Sequence, residues 1–149
     1  MRHAKAGDRS SWSGPDSERP LSKAGRQQAH KLGKRLGAVG VTTLVSSPYV
    51  RCVQTLEPLA ERTGLSIEVD DRLTEGAPFE RVLELLDALP GGAVLCSHGD
   101  VIPETIEALV RRGLDVRTPA DWRKASVWVL KRNKQGSFTR AVSWGPPGE

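Results

Sequence analysis

The chain has 149 residues, of which 38% are hydrophobic and 27% charged, and it carries a net charge of +4. This length predicts a single domain over residues 1–149, large enough to bury a core without disulfide bonds or a bound metal. The composition excludes a disordered, collagen-like or disulfide-stapled chain, and no apolar run is long enough to span a membrane.

Predicted helices and strands alternate along most of the chain. A polar loop over 8–20 leads to a helix capped by Ser22, and a buried strand over 41–47 follows. Pro48 is well placed at the start of the next helix, and Pro58 predicts a kink within it. The elements that follow are a strand over 66–70, a helix over 78–90, a strand over 91–97, a helix over 101–113 and a terminal hairpin around 133–136.

This alternation predicts an α/β fold, a three-layer α/β/α sandwich with a mostly parallel central sheet. The two cysteines, Cys52 and Cys96, form no metal-binding motif and are predicted to be core thiols. Reduced thiols and the lack of an apolar leader predict a cytoplasmic location.

Three short motifs follow predicted strands or lie near the N-terminus. They are Arg2-His3-Ala4, Ser47-Pro48-x-x-Arg51 and Ser97-His98-Gly99. Ligands of such sheets bind beyond the carboxyl ends of the strands. Because arginine side chains and helix N-termini both favour oxyanions, we expect these motifs to form a pocket of the size of a phosphate group.

A histidine in such a pocket can act chemically as well as bind. A neutral imidazole is a competent nucleophile toward phosphorus, and a second histidine, if protonated, would neutralise charge on the phosphoryl oxygens. Glu75 is the preferred candidate for the acid that protonates the leaving oxygen, and Asp100 and Asp8 are weaker candidates. This scheme requires no metal and no cofactor.

Five stretches together carry a resemblance to a known family. They are RHAKAG (2–7), RPLSKAGRQQA (19–29), SSPYVRCVQT (46–55), LTEG (73–76) and CSHGDVIP (96–103). With these motifs the chain resembles the histidine phosphatase (phosphoglycerate mutase-like) superfamily over nearly its whole length. It is most similar to the compact SixA-like branch, and in particular to the histidine phosphatase domain fused to some MutT-type Nudix hydrolases.

The resemblance implies a role for each matching residue. His3 would be the nucleophile, Glu75 the proton donor, and Arg2, Arg51 and His98 the phosphate clamp. Three further residues would contact phosphate or line the pocket, namely Arg9, Ser47 and Gly99. Family members carry an apolar strand before the Arg-His pair. Because the chain begins at Met1, we expect this first strand to be truncated.

The predicted function is a metal-independent phosphohydrolase acting through a phosphohistidine. Its substrate would be a phosphomonoester, a nucleotide or a phosphohistidine on a protein, and a Nudix hydrolase domain is a possible partner. The alternative is a non-catalytic phosphate-binding or partner-docking module of the same fold. The basic pI also raises nucleic-acid binding, but most of the basic residues lie outside the predicted pocket, and we expect neither a nucleic acid nor a membrane partner.

Overall fold

A short parallel sheet supports the predicted strand ends. A computed structural model describes residues 1–148 of the protein. Strand β1 (Thr43–Ser46) pairs in parallel with β2 (Ile67–Val69) on one side and with β3 (Ala93–Cys96) on the other. All three strands therefore present their carboxyl ends at the same edge, as the sequence predicts.

A second sheet contains the terminal hairpin. Strand β6 (Phe138–Trp144) pairs antiparallel with β5 (Val127–Arg132) and parallel with β4 (Asp115–Val116). The hairpin is confirmed, whereas β4 was not predicted. Its two residues are too few to produce a recognisable alternation of polar and apolar side chains.

Residues 1–3 lie between these two sheets. Arg2 forms a parallel bridge with Ser97, just beyond β3, and its amide donates to the carbonyl of Ser126, just before β5, at 3.1 Å. The amide of His3 donates to the carbonyl of Ser97, also at 3.1 Å. This short segment, predicted as a truncated strand, thus occupies a central strand position and places His3 at the functional edge.

Within residues 1–148, four α-helices cover the sheets. They are α1 (Lys23–Leu36), α2 (Val50–Thr63), α3 (Phe79–Ala88) and α4 (Val101–Arg111). Neighbouring residues of a strand point to opposite faces. Leu44 of β1 packs in a core cluster with residues of α1 and α2, while Val45 packs in another with residues of α3 and α4. The helices therefore lie on both faces of the sheet, which confirms the three-layer prediction.

Local signals at the helix ends are partly confirmed. The Ser22 hydroxyl accepts the amide of Gly25 at the start of α1, as predicted. Helix α2, however, begins at Val50 with Tyr49 as its N-cap, so Pro48 lies before the helix, and the helix continues through Pro58 to Thr63. Within residues 1–148, no helix has both the length and the apolar character needed to cross a bilayer.

Candidate active site

Three of the predicted residues meet at the carboxyl edge of the sheet. The imidazole rings of His3 and His98 are 5.5 Å apart between centroids, in an edge-to-face arrangement. The Nε of Arg51, in the first turn of α2, donates to Nε2 of His3 at 3.3 Å. All three side chains are buried. The convergence predicted from strand ends is therefore present in the fold.

The backbone around His3 determines which of its nitrogens carries the proton. Nδ1 lies 2.8 Å from the carbonyl oxygen of Ala4, which can only accept a hydrogen bond, so Nδ1 is the protonated nitrogen. Nε2 therefore has a lone pair, and it faces Arg51. The amide of Ala4 donates to Oγ1 of Thr55 at 3.0 Å, and the carbonyl of His3 accepts from the amide of Ala125 at 3.1 Å. These bonds fix the ring orientation through the main chain.

Both histidines are neutral at pH 7. Burial lowers the pKa of His3 from 6.5 to about 3, and the charges of Arg51 and Arg2 act in the same direction. Burial and Arg51 lower the pKa of His98 to about 4, although Asp16 partly opposes them. A neutral His3 agrees with a nucleophilic role, and His98 is also neutral in this arrangement.

His98 is held by side chains of the loop and helix that follow β1. Its Nε2 lies 2.9 Å from Oγ of Ser47 and 3.6 Å from Sγ of Cys52, and the ring of Tyr49 contacts it edge-on. Its buried Nδ1 has no hydrogen-bond partner among the described residues. Ser47, predicted to bind phosphate, therefore contacts the histidine, and Nδ1 is the ring nitrogen left without a partner within residues 1–148.

Arg2 and Gly99 are matched in shape. A Cβ atom at Gly99 would lie 2.6 Å from Cζ of Arg2, so only glycine leaves room for the guanidinium. Nη1 of Arg2 donates to the carbonyl of Trp122 at 2.8 Å, and its buried Nε has no partner within residues 1–148. This nitrogen, like Nδ1 of His98, is a hydrogen-bonding group that a ligand could satisfy.

A cavity of about 470 Å³ opens above His3. Its lining residues are Arg2, His3, Arg9, Arg19, Arg51, Glu75, Gly99, Asp100 and Lys124. Five of these nine residues are cationic and two are acidic, so the cavity favours anions. The predicted residues Arg9, Glu75 and Gly99 are among them, whereas Ser47, His98 and Asp8 are not.

The three candidate acids have different surroundings. Oε1 of Glu75 lies 3.6 Å from Nη2 of Arg51. Asp100 also lines the cavity, but its carboxylate accepts the amide of Gly76 at 2.8 Å. Asp8 caps a short 3₁₀ turn by accepting the amide of Ser10. Glu75 is therefore the acid best placed beside the phosphate clamp.

Sequence reasoning missed two polar residues that support the site. Asp16 accepts from Arg51 twice, through Oδ2 at 3.1 Å and through its carbonyl at 2.9 Å, and it also pairs with Arg19 at 3.0 Å. Nothing in the polar loop marks Asp16, because this contact depends on how the loop folds back. Thr55 could have been found, since it lies one helical turn after Arg51 and therefore on the same face of α2.

Known proteins are similar in sequence to this chain. A sequence model of the histidine phosphatase superfamily (branch 1) matches residues 1–78. An 8-oxo-(d)GTP phosphatase of Mycolicibacterium smegmatis is 40% identical over 156 residues, which cover 100% of this chain and 48% of the relative. The chain thus spans about half the length of that relative.

Solved structures share the fold along almost the whole chain. The protein histidine phosphatase SixA, complexed with tungstate, aligns with a TM-score of 0.78 at 24% identity, covering 96% of this chain and 94% of SixA. A mycobacterial glucosyl-3-phosphoglycerate phosphatase complexed with VO₃ aligns with a TM-score of 0.69 at 22% identity, covering 97% and 96%. At these identities the likeness shows the fold.

Proposed function

We propose that the chain, which belongs to the histidine phosphatase superfamily, is a metal-independent phosphohydrolase that transfers a phosphoryl group to His3. The observation that carries this proposal is the state of the His3 ring. Nδ1–H is bound to the carbonyl of Ala4, and the lone pair of Nε2 lies beside Arg51 at the wall of a cationic cavity. A deprotonated nitrogen next to an oxyanion clamp is the arrangement that nucleophilic attack on phosphorus requires.

The first step forms the intermediate. Nε2 of His3 attacks the phosphorus, the N–P bond forms, and the bond from phosphorus to the leaving oxygen breaks. Glu75 acts as the general acid and gives a proton to that oxygen. Arg2 and Arg51 stabilise the charge on the transferred phosphoryl oxygens.

The second step releases phosphate. Glu75, now a carboxylate, takes a proton from a water molecule that attacks the phosphorus, and the N–P bond breaks. Nε2 regains its lone pair while Nδ1 keeps its proton on the Ala4 carbonyl. A bound phosphoryl dianion raises the pKa of nearby His98, so that its Nδ1 becomes a donor to a phosphoryl oxygen.

The proposed substrate class is a nucleotide. The relative with 40% identity over the whole chain is named an 8-oxo-(d)GTP phosphatase, and the surplus of cations around the cavity suits a polyphosphate. A phosphohistidine on a protein has weaker support, because the similarity to SixA at 24% identity supports the fold alone.

Hydrolysis by matched histidine variants tests this proposal. Wild type, His3→Asn and His30→Asn would be assayed for phosphate release from GDP, GTP and 8-oxo-GTP in the presence of EDTA. His30 is exposed on α1 and serves as the control. We expect His3→Asn to fall to background while the other two remain equally active with EDTA. Equal turnover by His3→Asn, or loss of all turnover with EDTA, would overturn the enzymatic proposal. A chain that binds phosphate without turnover would be the non-catalytic module.

A further inference from the structure

The candidate active site holds more positive charge than one phosphoryl group needs. Arg2 and Arg51 lie with His3 at the base of the cavity, and three further cations line it, namely Arg9, Arg19 and Lys124. A volume of about 470 Å³ lies within the roughly 300–1,000 Å³ typical of small-molecule sites. The cavity can therefore accept a ligand larger than the transferred group.

Lys124 is an exposed residue that lines the cavity. Its ammonium forms no ion pair or hydrogen bond with any residue in the range 1–148. Partial desolvation of its ammonium lowers its pKa, and the charges of Arg2, Arg19, Arg51 and Arg9 lower it further. Four guanidinium groups therefore lie close enough to repel this ammonium, and a bound anion would relieve the repulsion.

The main chain ties Lys124 to the nucleophile. The next residue, Ala125, has φ of 67°, a conformation that costs energy in a residue other than glycine. Its amide donates to the carbonyl of His3 at 3.1 Å, and its methyl group is buried in a core cluster with Ala4. A strained but buried and hydrogen-bonded turn therefore sets the position of Lys124 relative to His3.

Asp16 links the other two cations to the phosphate clamp. Its Oδ1 pairs with Arg19 at 3.0 Å and lies 3.7 Å from Nε of Arg9, while its Oδ2 pairs with Arg51. Arg19 is buried and also donates to the carbonyl of Gly7. One carboxylate thus aligns three guanidinium groups from the clamp toward the cavity mouth.

We propose that Lys124, Arg9 and Arg19 form a second anion subsite, which binds the phosphate next to the one transferred to His3 and selects phosphoanhydrides over simple monoesters. This inference rests on the proposed function. With a nucleoside diphosphate, the terminal phosphoryl group would lie at His3 and the inner phosphate at the second subsite. Attack breaks the bond from the terminal phosphorus to the bridging oxygen, and the nucleoside monophosphate leaves with its charge stabilised by the three cations.

Binding of pyrophosphate and of inorganic phosphate, measured by calorimetry, tests the second subsite without requiring turnover. The readout is the ratio of the two dissociation constants. We expect Lys124→Ala to reduce the preference for pyrophosphate by about tenfold. Lys124→Arg should retain the preference, and Lys34→Ala, which removes an equal charge from the exposed side of α1, should leave both constants unchanged.

Each result has a distinct meaning. An unchanged ratio in Lys124→Ala, or no preference for pyrophosphate in wild type, would overturn the second subsite. In Lys124→Ala, the ratio of kcat/KM for GDP to kcat/KM for p-nitrophenyl phosphate should fall by a similar factor to the binding preference. If wild type binds pyrophosphate selectively but hydrolyses neither GDP nor p-nitrophenyl phosphate, the proposed enzymatic function fails while the second subsite stands.

Discussion

Replacing Thr55 with valine tests whether the backbone around the nucleophile depends on one buried hydroxyl. Oγ1 of Thr55 accepts the amide of Ala4 at 3.0 Å and donates to the carbonyl of Arg51 at 2.7 Å. Thr55 is 1% exposed and Ala4 is fully buried. Valine has the same shape but removes both hydrogen bonds, so the change isolates the polar contribution.

The expected cost follows from what each partner loses. The carbonyl of Arg51 lies within helix α2 and keeps the bond of the helical pattern, whereas the amide of Ala4 loses the only partner that it has within residues 1–148. A buried amide without a partner costs about 1–3 kcal/mol. For a chain of this size, 1 kcal/mol corresponds to about 2–4 °C in Tm, so we expect a fall of roughly 2–12 °C. Because the Ala4 carbonyl orients His3, kcat should fall by about 10- to 100-fold.

Thermal unfolding and steady-state kinetics would be measured on three variants. Thr55→Ser keeps the hydroxyl and should retain most of the stability and kcat. Thr105→Val is the matched control, because Thr105 is also buried, but among the described residues its hydroxyl only donates, to the carbonyl of Val101 at 2.8 Å. A Tm of Thr55→Val equal to that of Thr105→Val, together with the kcat of wild type, would refute the role assigned to the Thr55 hydroxyl.

Two further predictions concern the histidines and Gly99. Because the pKa values of His3 and His98 lie at about 3 and 4 in the fold, the unfolded chain takes up protons first as pH falls below 6.5. Unfolding free energy should then fall toward pH 4 by up to about 1.4 kcal/mol per pH unit for each histidine. Urea titrations at several pH values should show that the unfolding free energy of His98→Asn falls less steeply with decreasing pH than that of wild type. An equal slope in the two proteins would contradict this. Gly99→Ala must displace Arg2 and should weaken phosphate binding by about 10- to 100-fold in calorimetry, while Gly91→Ala, in open space, should not; equal affinities would contradict the predicted contact.

Residues placed by regular elements could be predicted from the sequence. Arg51 lies in the first turn of a helix that follows a strand, and His98 lies between a strand and a helix. Parallel strands bring such positions to one edge whatever the details of packing, so the meeting of the two residues required only the order of elements. The Ser22 cap was predictable for a similar reason, since its hydroxyl acts within one helical turn.

Contacts made by loops could not be predicted. Asp16 reaches Arg51 across 35 residues because the 8–20 loop folds back over the site, and Lys124 reaches the cavity through the left-handed turn at Ala125. Neither conformation has a periodic sequence signal. The sequence leaves the protonation state of His98 open for a different reason, because its pKa depends on burial and on two arginine charges, which only the assembled fold supplies.

Direct detection of phosphohistidine tests the central claim. The protein would be mixed with GDP radiolabelled in its terminal phosphate, quenched in alkaline detergent, and the labelled peptide identified by mass spectrometry. We predict an alkali-stable, acid-labile label on His3, present in wild type and in His30→Asn and absent in His3→Asn. Label on another residue, label retained by His3→Asn, or turnover without any labelled protein would contradict His3 as the nucleophile.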